Sequence, residues 1–123
     1  MPLNRFMPDK PLRVAQNSVT TVNANSDSPR ATIFTVPKGR KFTLYAVGTD
    51  QNAASVRLQA FHIIGTQSVQ LLDIPTQRLP TDERAEMMFE PFAEGETLTI
   101  GLLNGTGAGI TPQLVAWYTD EPA

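Results

Sequence analysis

The chain has 123 residues and a mass of 13.4 kDa, which suits one domain built around one hydrophobic core. It contains no cysteine, which excludes disulfide bonds and thiolate metal sites, and no apolar run approaches the roughly 20 residues of a membrane-spanning helix. Its first residues lack the apolar segment of a secretory signal, so we expect synthesis in the cytoplasm and no membrane partner.

The net charge of −2 hides an asymmetry along the chain. Residues 1–40 contain six basic and two acidic side chains, whereas residues 41–123 contain four basic and ten acidic ones. A basic N-terminal part therefore precedes an acidic body, a polarity that favours docking on an acidic protein surface. Nucleic acid is excluded as a partner, because it requires a basic face interleaved with aromatic side chains.

Residues 1–17 are predicted to form an extended N-terminal arm, and residues 18–123 a β-sandwich domain. The first segment contains three prolines and shows neither a helical nor a strand period. Its apolar side chains suggest that it becomes ordered against another surface, with its basic side chains pairing with carboxylates there. The predicted contact residues are Leu3, Arg5, Phe6, Met7, Lys10, Leu12 and Arg13.

The rest of the chain alternates short runs of β-branched and aromatic residues with turn clusters, and eight such runs predict eight strands. They lie near residues 18–23, 31–36, 41–48, 55–64, 67–74, 85–89, 96–103 and 112–119. The longest connection covers residues 75–84, where Thr81 or Asp82 is placed to start one helical turn. No amphipathic helix of three turns is predicted.

Alternation along these runs predicts which side chains face the core. Phe42 and Leu44 share one face of their run, and Leu98 begins a similar inward series in the run at 96–103. The last run is apolar on both faces, which is typical of a strand that is central in a sandwich or covered by a neighbouring molecule. Eight strands without a helical layer predict an all-β, two-sheet antiparallel sandwich. A jelly roll is favoured over another Greek-key order.

Catalytic and metal chemistry find little support in the sequence, so we predict neither an enzyme nor a cofactor. The single histidine, His62, is in phase with the core positions of its run and is interpreted as a buried, hydrogen-bonded residue. One histidine without cysteine cannot build a zinc or copper site. Glu90, Glu94 and Glu96 lie around turns and are interpreted as solvated acids. The glycine-rich segment at 105–109 lacks the Lys-Ser/Thr of a phosphate-binding loop and is predicted to connect two strands.

Two segments share one layout of strand, Pro/Gly turn and strand. Residues 34–47 read Phe-Thr-Val-Pro-Lys-Gly-Arg-Lys-Phe-Thr-Leu-Tyr-Ala-Val, and residues 92–100 read Phe-Ala-Glu-Gly-Glu-Thr-Leu-Thr-Ile. In this layout residues 30–119 resemble the small jelly-roll decoration, or cement, proteins of tailed bacteriophages, which bind the outside of the capsid. The resemblance implies no catalytic residues.

The resemblance further implies a homotrimer, or in some members a dimer, on the outer capsid surface of a virion, with an arm lying across neighbouring copies of the major capsid protein. The expected function is to stabilise the capsid by bridging its subunits through the domain and the arm. The aromatic candidates for the subunit interface are Tyr45, Phe61, Trp117 and Tyr118, with burial in the core as the alternative for each. A carbohydrate- or receptor-binding sandwich of a phage tail or fibre is the alternative function.

Overall fold

A computed structural model describes residues 12–18, 22–27, 30–78 and 85–123 of the chain. Within these ranges the strands are β1 (Arg13–Ser18), β2 (Ser26–Asp27), β3 (Ala31–Thr35), β4 (Arg40–Thr49), β5 (Val56–Ile64), β6 (Gln67–Pro75), β7 (Ala85–Phe92), β8 (Thr97–Asn104) and β9 (Gln113–Pro122). A single 3₁₀ turn, Thr76–Arg78, follows β6. The described part of the chain contains no helix with the length and apolar character needed to cross a membrane.

The strands form two antiparallel sheets that face each other. The first sheet has the order β1-β9-β4-β7, and the second has the order β2-β8-β5-β6, with β3 also pairing with β8. Pairing is nested along the chain, because β1 pairs with β9, β2 and β3 with β8, β4 with β7, and β5 with β6. The predicted all-β, two-sheet sandwich is confirmed.

Seven of the eight predicted runs coincide with β3 to β9, whereas the first does not. The structure places β1 at Arg13–Ser18, and all six of its residues pair with β9. Five residues of the predicted arm, 13–17, therefore belong to the first sheet. Alternation could not reveal this strand, because hydrogen bonds to its partner define it rather than a pronounced apolar face. The helical turn predicted at Thr81 or Asp82 lies outside the described residues.

The core lies between the two sheets and consists of the inward side chains of both. Phe42 and Leu44 of β4 and Leu98 of β8 are 5%, 0% and 0% exposed, as the alternation predicts. Fully burying one such side chain contributes about 1.5–3 kcal/mol to folding. The other buried members of the core cluster are Phe34, Val36, Val47, Val56, Leu58, Ala60, Phe92, Ile100, Leu102, Leu114 and Ala116.

The two segments with the same layout lie side by side at one end of the sandwich. The Val36 amide donates to the Glu96 carbonyl and the Gly95 amide donates to the Val36 carbonyl, both at 2.9 Å. The Gly39 amide donates to the Glu94 carboxylate. Gly39 and Gly95 have φ of 78° and 83°, a backbone conformation that side chains with a Cβ disfavour. Hydrogen bonds thus hold the β3–β4 and β7–β8 turns together at one end of the sandwich.

A buried asparagine organises the connection that follows β8. Asn104 is 2% exposed, and its Nδ2 lies 3.0–3.1 Å from the carbonyls of Val22, Asn23 and Ala108. Its Oδ1 accepts from the amide and the hydroxyl of Thr106. The side chain therefore closes the 105–109 loop and attaches the segment before β2 to it.

Candidate functional site

The predicted capsid-contacting residues lie only partly within the described chain. Leu3, Arg5, Phe6, Met7 and Lys10 fall outside the described residues. Leu12 is half-buried just before β1. Arg13 is the first residue of β1, and its guanidinium is largely exposed, with Nε 3.9 Å from Asp120 Oδ2. Arg13 is therefore positioned by the first sheet.

The four aromatic interface candidates separate into two pairs. Phe61 and Tyr118 pack within the domain. Phe61 is 5% exposed, and the Tyr118 ring stacks on Phe42 with centroids 4.6 Å apart. Tyr45 and Trp117 are partly buried and lie on the outer face of the first sheet. Only this second pair is placed where a partner could contact it.

Four side chains on the outer face of the first sheet form two pairs, which together we call the outer row: Val14 on β1 with Trp117 on β9, and Tyr45 on β4 with Phe89 on β7. Val14 lies opposite Trp117 in the register, and opposed residues of antiparallel strands share one face. The Tyr45 and Phe89 rings meet edge to face with centroids 5.2 Å apart. Val14 is 52% exposed and Phe89 60%.

The outer row arises from the register of the sheet. Leu114 and Ala116 point into the core, so the intervening and following residues of β9, Val115 and Trp117, point outward. The pairing of β4 with both of its neighbours shifts at Tyr45, between Leu44 and Ala46, as expected for a β-bulge. A bulge re-aims a side chain and increases the local twist. Here it brings the Tyr45 ring to Phe89.

Charged groups near this face are paired within the chain, at the end where β4 begins and β9 ends. Asp120 accepts from Arg40 Nε at 2.7 Å and lies 3.9 Å from Arg13 Nε. Lys41 Nζ lies 3.6 Å from Glu121 Oε2. The outer row itself is made of uncharged side chains, so a protein could cover it without burying an unpaired charge. Exposed apolar side chains on such a face are typical of a protein-binding surface.

The outer face of the second sheet is built differently. The guanidinium of Arg30 lies 3.5 Å from the centroid of the Phe61 ring and donates to the Ser68 hydroxyl at 3.2 Å. Arg57 donates to the carboxylate and the backbone carbonyl of Asp73 at 2.7 and 3.0 Å. The Arg57 hydrogen bond holds the pKa of Asp73 below its ordinary value. The aromatic side chain on this face is thus covered by a cation of the same chain.

No protein-family model matches this chain, and no curated protein matches it. Among solved structures it is similar to the core of Drosophila NLP, a structure described in terms of pentamer formation and histone binding. The two chains are 12% identical, the match covers 85% of this chain and 98% of the other, and the TM-score is 0.41. A similarity this distant assigns no function to the chain.

Phe89 was not predicted to belong to a binding face, and Val14 was predicted only as an apolar anchor of the arm. Val14 lay in the segment interpreted as an arm, so no strand face was assigned to it. Phe89 follows Met87 and Met88, and in a run of consecutive apolar residues only the register decides which side chain points outward. The signal available in the sequence was the doubly apolar last strand, which indicated an outward apolar face that includes Trp117.

The acids around the β7–β8 turn are engaged in contacts, although the sequence suggested solvated ones. Glu90 and Glu96 both contact His62, and Glu94 accepts from the Gly39 amide. His62 is 4% exposed, which confirms the prediction of a buried, hydrogen-bonded histidine. Both of its ring nitrogens are occupied, so the ring has no free nitrogen for a substrate. Across the described residues, no three His, Cys, Asp or Glu side chains are grouped to hold a metal ion.

A shallow cleft with a volume of about 340 Å³ lies beside the end of β8. Asn25, Ser55, Arg57, Leu103, Asn104 and Gly105 line it. Its charged member, Arg57, is bound by Asp73, and its asparagine at 104 is bound by backbone carbonyls. These polar groups are already satisfied, which makes the outer row the stronger candidate site.

Proposed function

We propose that this chain is a virion structural protein that binds the outer capsid surface of a tailed bacteriophage and stabilises it by bridging neighbouring capsid subunits. In this proposal the domain associates into a homotrimer, and the basic N-terminal segment contacts the major capsid protein. The observation that carries the proposal is the outer row, because it gives a sandwich of this size an uncharged aromatic surface suited to another protein.

The strand order supports a jelly roll as the specific architecture. A jelly roll is an eight-stranded double sheet made of two Greek keys. Nested pairing of first with last, second with second-last and so on is what a long hairpin gives when it is rolled into two sheets. The chain follows this scheme when β2 and β3, which both pair with β8, are taken as two pieces of one strand.

An assembly of several copies of the chain could bind the capsid tightly through contacts that are individually weak. Each outer row has two well-exposed side chains, Val14 and Phe89, and two partly buried ones, Tyr45 and Trp117. Association through this face would place several N-terminal segments on one assembly, and linked sites bind together far more tightly than one alone. Arg5 and Lys10 would then pair with carboxylates on adjacent capsid subunits.

The test is co-sedimentation of the full chain with empty shells assembled from the major capsid protein of the virus that encodes it. We expect saturable binding at a fixed ratio and an increase in the temperature at which the shells break. Light scattering on the free protein should give about three times the chain mass of 13.4 kDa.

The double variant Arg5→Glu, Lys10→Glu tests the role of the basic segment. We expect it to stay folded and trimeric but to lose at least about tenfold in shell affinity, because charge complementarity would become repulsion. Lys38→Glu is the matched control, since Lys38 is an exposed lysine in the β3–β4 turn. Absence of binding by the unaltered chain would reject the capsid proposal, and unchanged binding by the double variant would remove this segment from it.

A further inference from the structure

One buried histidine of the second sheet contacts a glutamate of the first sheet and a second glutamate just before β8. His62 lies on β5 of the second sheet, and its side chain is 5% exposed. Its Nδ1 is 2.8 Å from Glu90 Oε2 on β7 of the first sheet, and its Nε2 is 2.7 Å from Glu96 Oε1 just before β8. The imidazole stacks on the Phe92 ring with centroids 3.8 Å apart. The ring is therefore fixed in its plane and at both nitrogens.

The two contacts of His62 determine how many protons its ring must carry. An ionised carboxylate only accepts hydrogen bonds, and a neutral imidazole has a single N–H to donate. Two short contacts to two ionised carboxylates therefore need both ring nitrogens protonated. With a neutral ring, one nitrogen lone pair would face a carboxylate oxygen at hydrogen-bond distance, which is repulsive unless that carboxyl carries the proton.

Glu96 is held in the ionised form. Burial alone would raise the pKa of Glu96, but hydrogen bonds from the Ala93 amide and from His62 outweigh burial and lower that pKa below its ordinary value. The same oxygen, Oε1, accepts from the Ala93 amide at 2.8 Å and from His62. The shared proton of the cluster consequently lies on His62 or between His62 and Glu90.

We infer that protonated His62 is a clamp that ties edge strand β7 to the second sheet, and that loss of its proton releases this tie. Among the described elements packed against the ring, the charged groups that face it are Glu90 from β7 and Glu96 from the β7–β8 turn. Its register neighbours on β6 and β8, Val69 and Leu98, are uncharged. This clamp is independent of capsid binding.

Strand β7 needs such a tie because it is an edge strand whose ladder partner in the first sheet is β4. Glu90 points inward to His62, and the preceding residue, Phe89, points outward into the outer row. The clamp therefore also holds the strand that presents Phe89. Protonation of a core residue is in this way linked to the geometry of the outer face.

The sign of the pH dependence follows from the cluster. The clamp needs both ring nitrogens of His62 to be protonated, so its stabilisation is present at mildly acidic pH and is lost as pH rises. At the acidic limit it is lost again as pH falls through the lowered pKa of Glu96. The free energy of unfolding should therefore pass through a maximum between the acidic loss and the loss at higher pH.

Glu90→Gln separates this clamp from a merely structural role of the cluster. A glutamine can accept from a protonated ring nitrogen or donate to a deprotonated one, so the variant satisfies both forms of His62. In urea unfolding at a series of pH values from about 5 to about 9, we expect the unfolding constant of the unaltered chain to rise at least about tenfold with pH. In Glu90→Gln the rise should be less than about threefold.

Glu94→Gln is the matched control, because Glu94 lies in the same turn without contacting His62. The unfolding constant of Glu94→Gln should rise with pH as much as that of the unaltered chain. A flat profile for the unaltered chain, or an undiminished rise in Glu90→Gln, would overturn the inference. A second measurement uses the fact that His62 is the chain's one histidine. Nitrogen NMR of the full chain should show both ring nitrogens protonated at mildly acidic pH, and one unprotonated nitrogen there would also overturn it.

Discussion

The two sheets bury similar aliphatic side chains inward but differ in how they treat aromatic side chains outward. On the second sheet Phe61 is covered by the Arg30 guanidinium and is 5% exposed. On the first sheet Phe89 contacts Tyr45 and is still 60% exposed. A cation of the same chain covers the Phe61 ring, whereas more than half of the Phe89 surface remains in solvent.

This difference indicates where a partner is expected. An apolar outward side chain that the chain covers itself contributes to folding, and one that it leaves in solvent can contribute to association. Under the proposed function we therefore expect the partner on the outer face of the first sheet, whereas the outer face of the second sheet has paired charges such as Arg57 and Asp73.

The largest expected contrast comes from truncating one phenylalanine on each face. Phe61→Ala should lower the free energy of unfolding by about 3 kcal/mol, because it removes a buried ring and leaves a cavity beneath Arg30. Phe89→Ala should lower it by less than about 1 kcal/mol, because the ring is mostly in solvent already. Urea unfolding of the two variants at one pH makes the measurement. Equal losses for the two would contradict the contrast between the faces.

A charge placed in the outer row should disrupt association more than folding. Val14→Glu puts a carboxylate at a position that is 52% exposed, so the domain should remain folded. Self-association should weaken at least about tenfold, because an unpaired charge would have to be buried in the interface. Light scattering across a concentration series measures this. Thr66→Glu, at the tip of the β5–β6 hairpin, is the control and should associate normally. An unaffected assembly in Val14→Glu would exclude the outer row from self-association.

Removing the cover from Phe61 should make the second face resemble the first. Arg30→Ala should cost about 1 kcal/mol of stability, as expected for a cation over an aromatic ring together with a hydrogen bond to Ser68. It should also expose the Phe61 ring, which binding of an apolar dye would detect. Arg30→Lys keeps the charge without the planar guanidinium. Its stability and its dye binding should lie between those of the unaltered chain and those of Arg30→Ala. No gain in dye binding by Arg30→Ala would show that other groups protect the ring.

Much of the fold could be predicted from the sequence because β alternation and turn residues are local signals. Phe42, Leu44 and Leu98 are buried as their periodicity indicates, and seven strands lie where the runs place them. β1 could not be predicted in this way, because its pairing with β9 joins residues about a hundred positions apart in the chain. A sheet edge is defined by long-range hydrogen bonds that no local period reveals.

The candidate site was less accessible to sequence reasoning. Trp117 was identified from a doubly apolar strand, but Phe61, judged by the same aromatic criterion, is covered by an arginine 31 positions earlier in the chain. The His62 contacts reach glutamates 28 and 34 positions later in the chain, so in the sequence these glutamates appeared only as acids near turns. Asn104 appeared in the sequence as part of a loop, although its side chain organises that loop from a buried position.

The smallest expected effect concerns the charge pair on the second face. Because Arg57 and Asp73 are 41% and 36% exposed, their coupling should be below about 1 kcal/mol, since solvent screens such pairs. The pKa of Asp73 is lowered in the folded chain from an ordinary value of 3.8, so the coupling is present above that value and is lost as pH falls through the lowered one. A double-mutant cycle with Arg57→Leu and Asp73→Asn, measured by urea unfolding at about pH 7 and about pH 3, isolates it. Asp73→Asn leaves the backbone carbonyl that also accepts from Arg57, so the cycle reports the carboxylate alone. Equal coupling at the two pH values would contradict a contact that depends on the charge of Asp73.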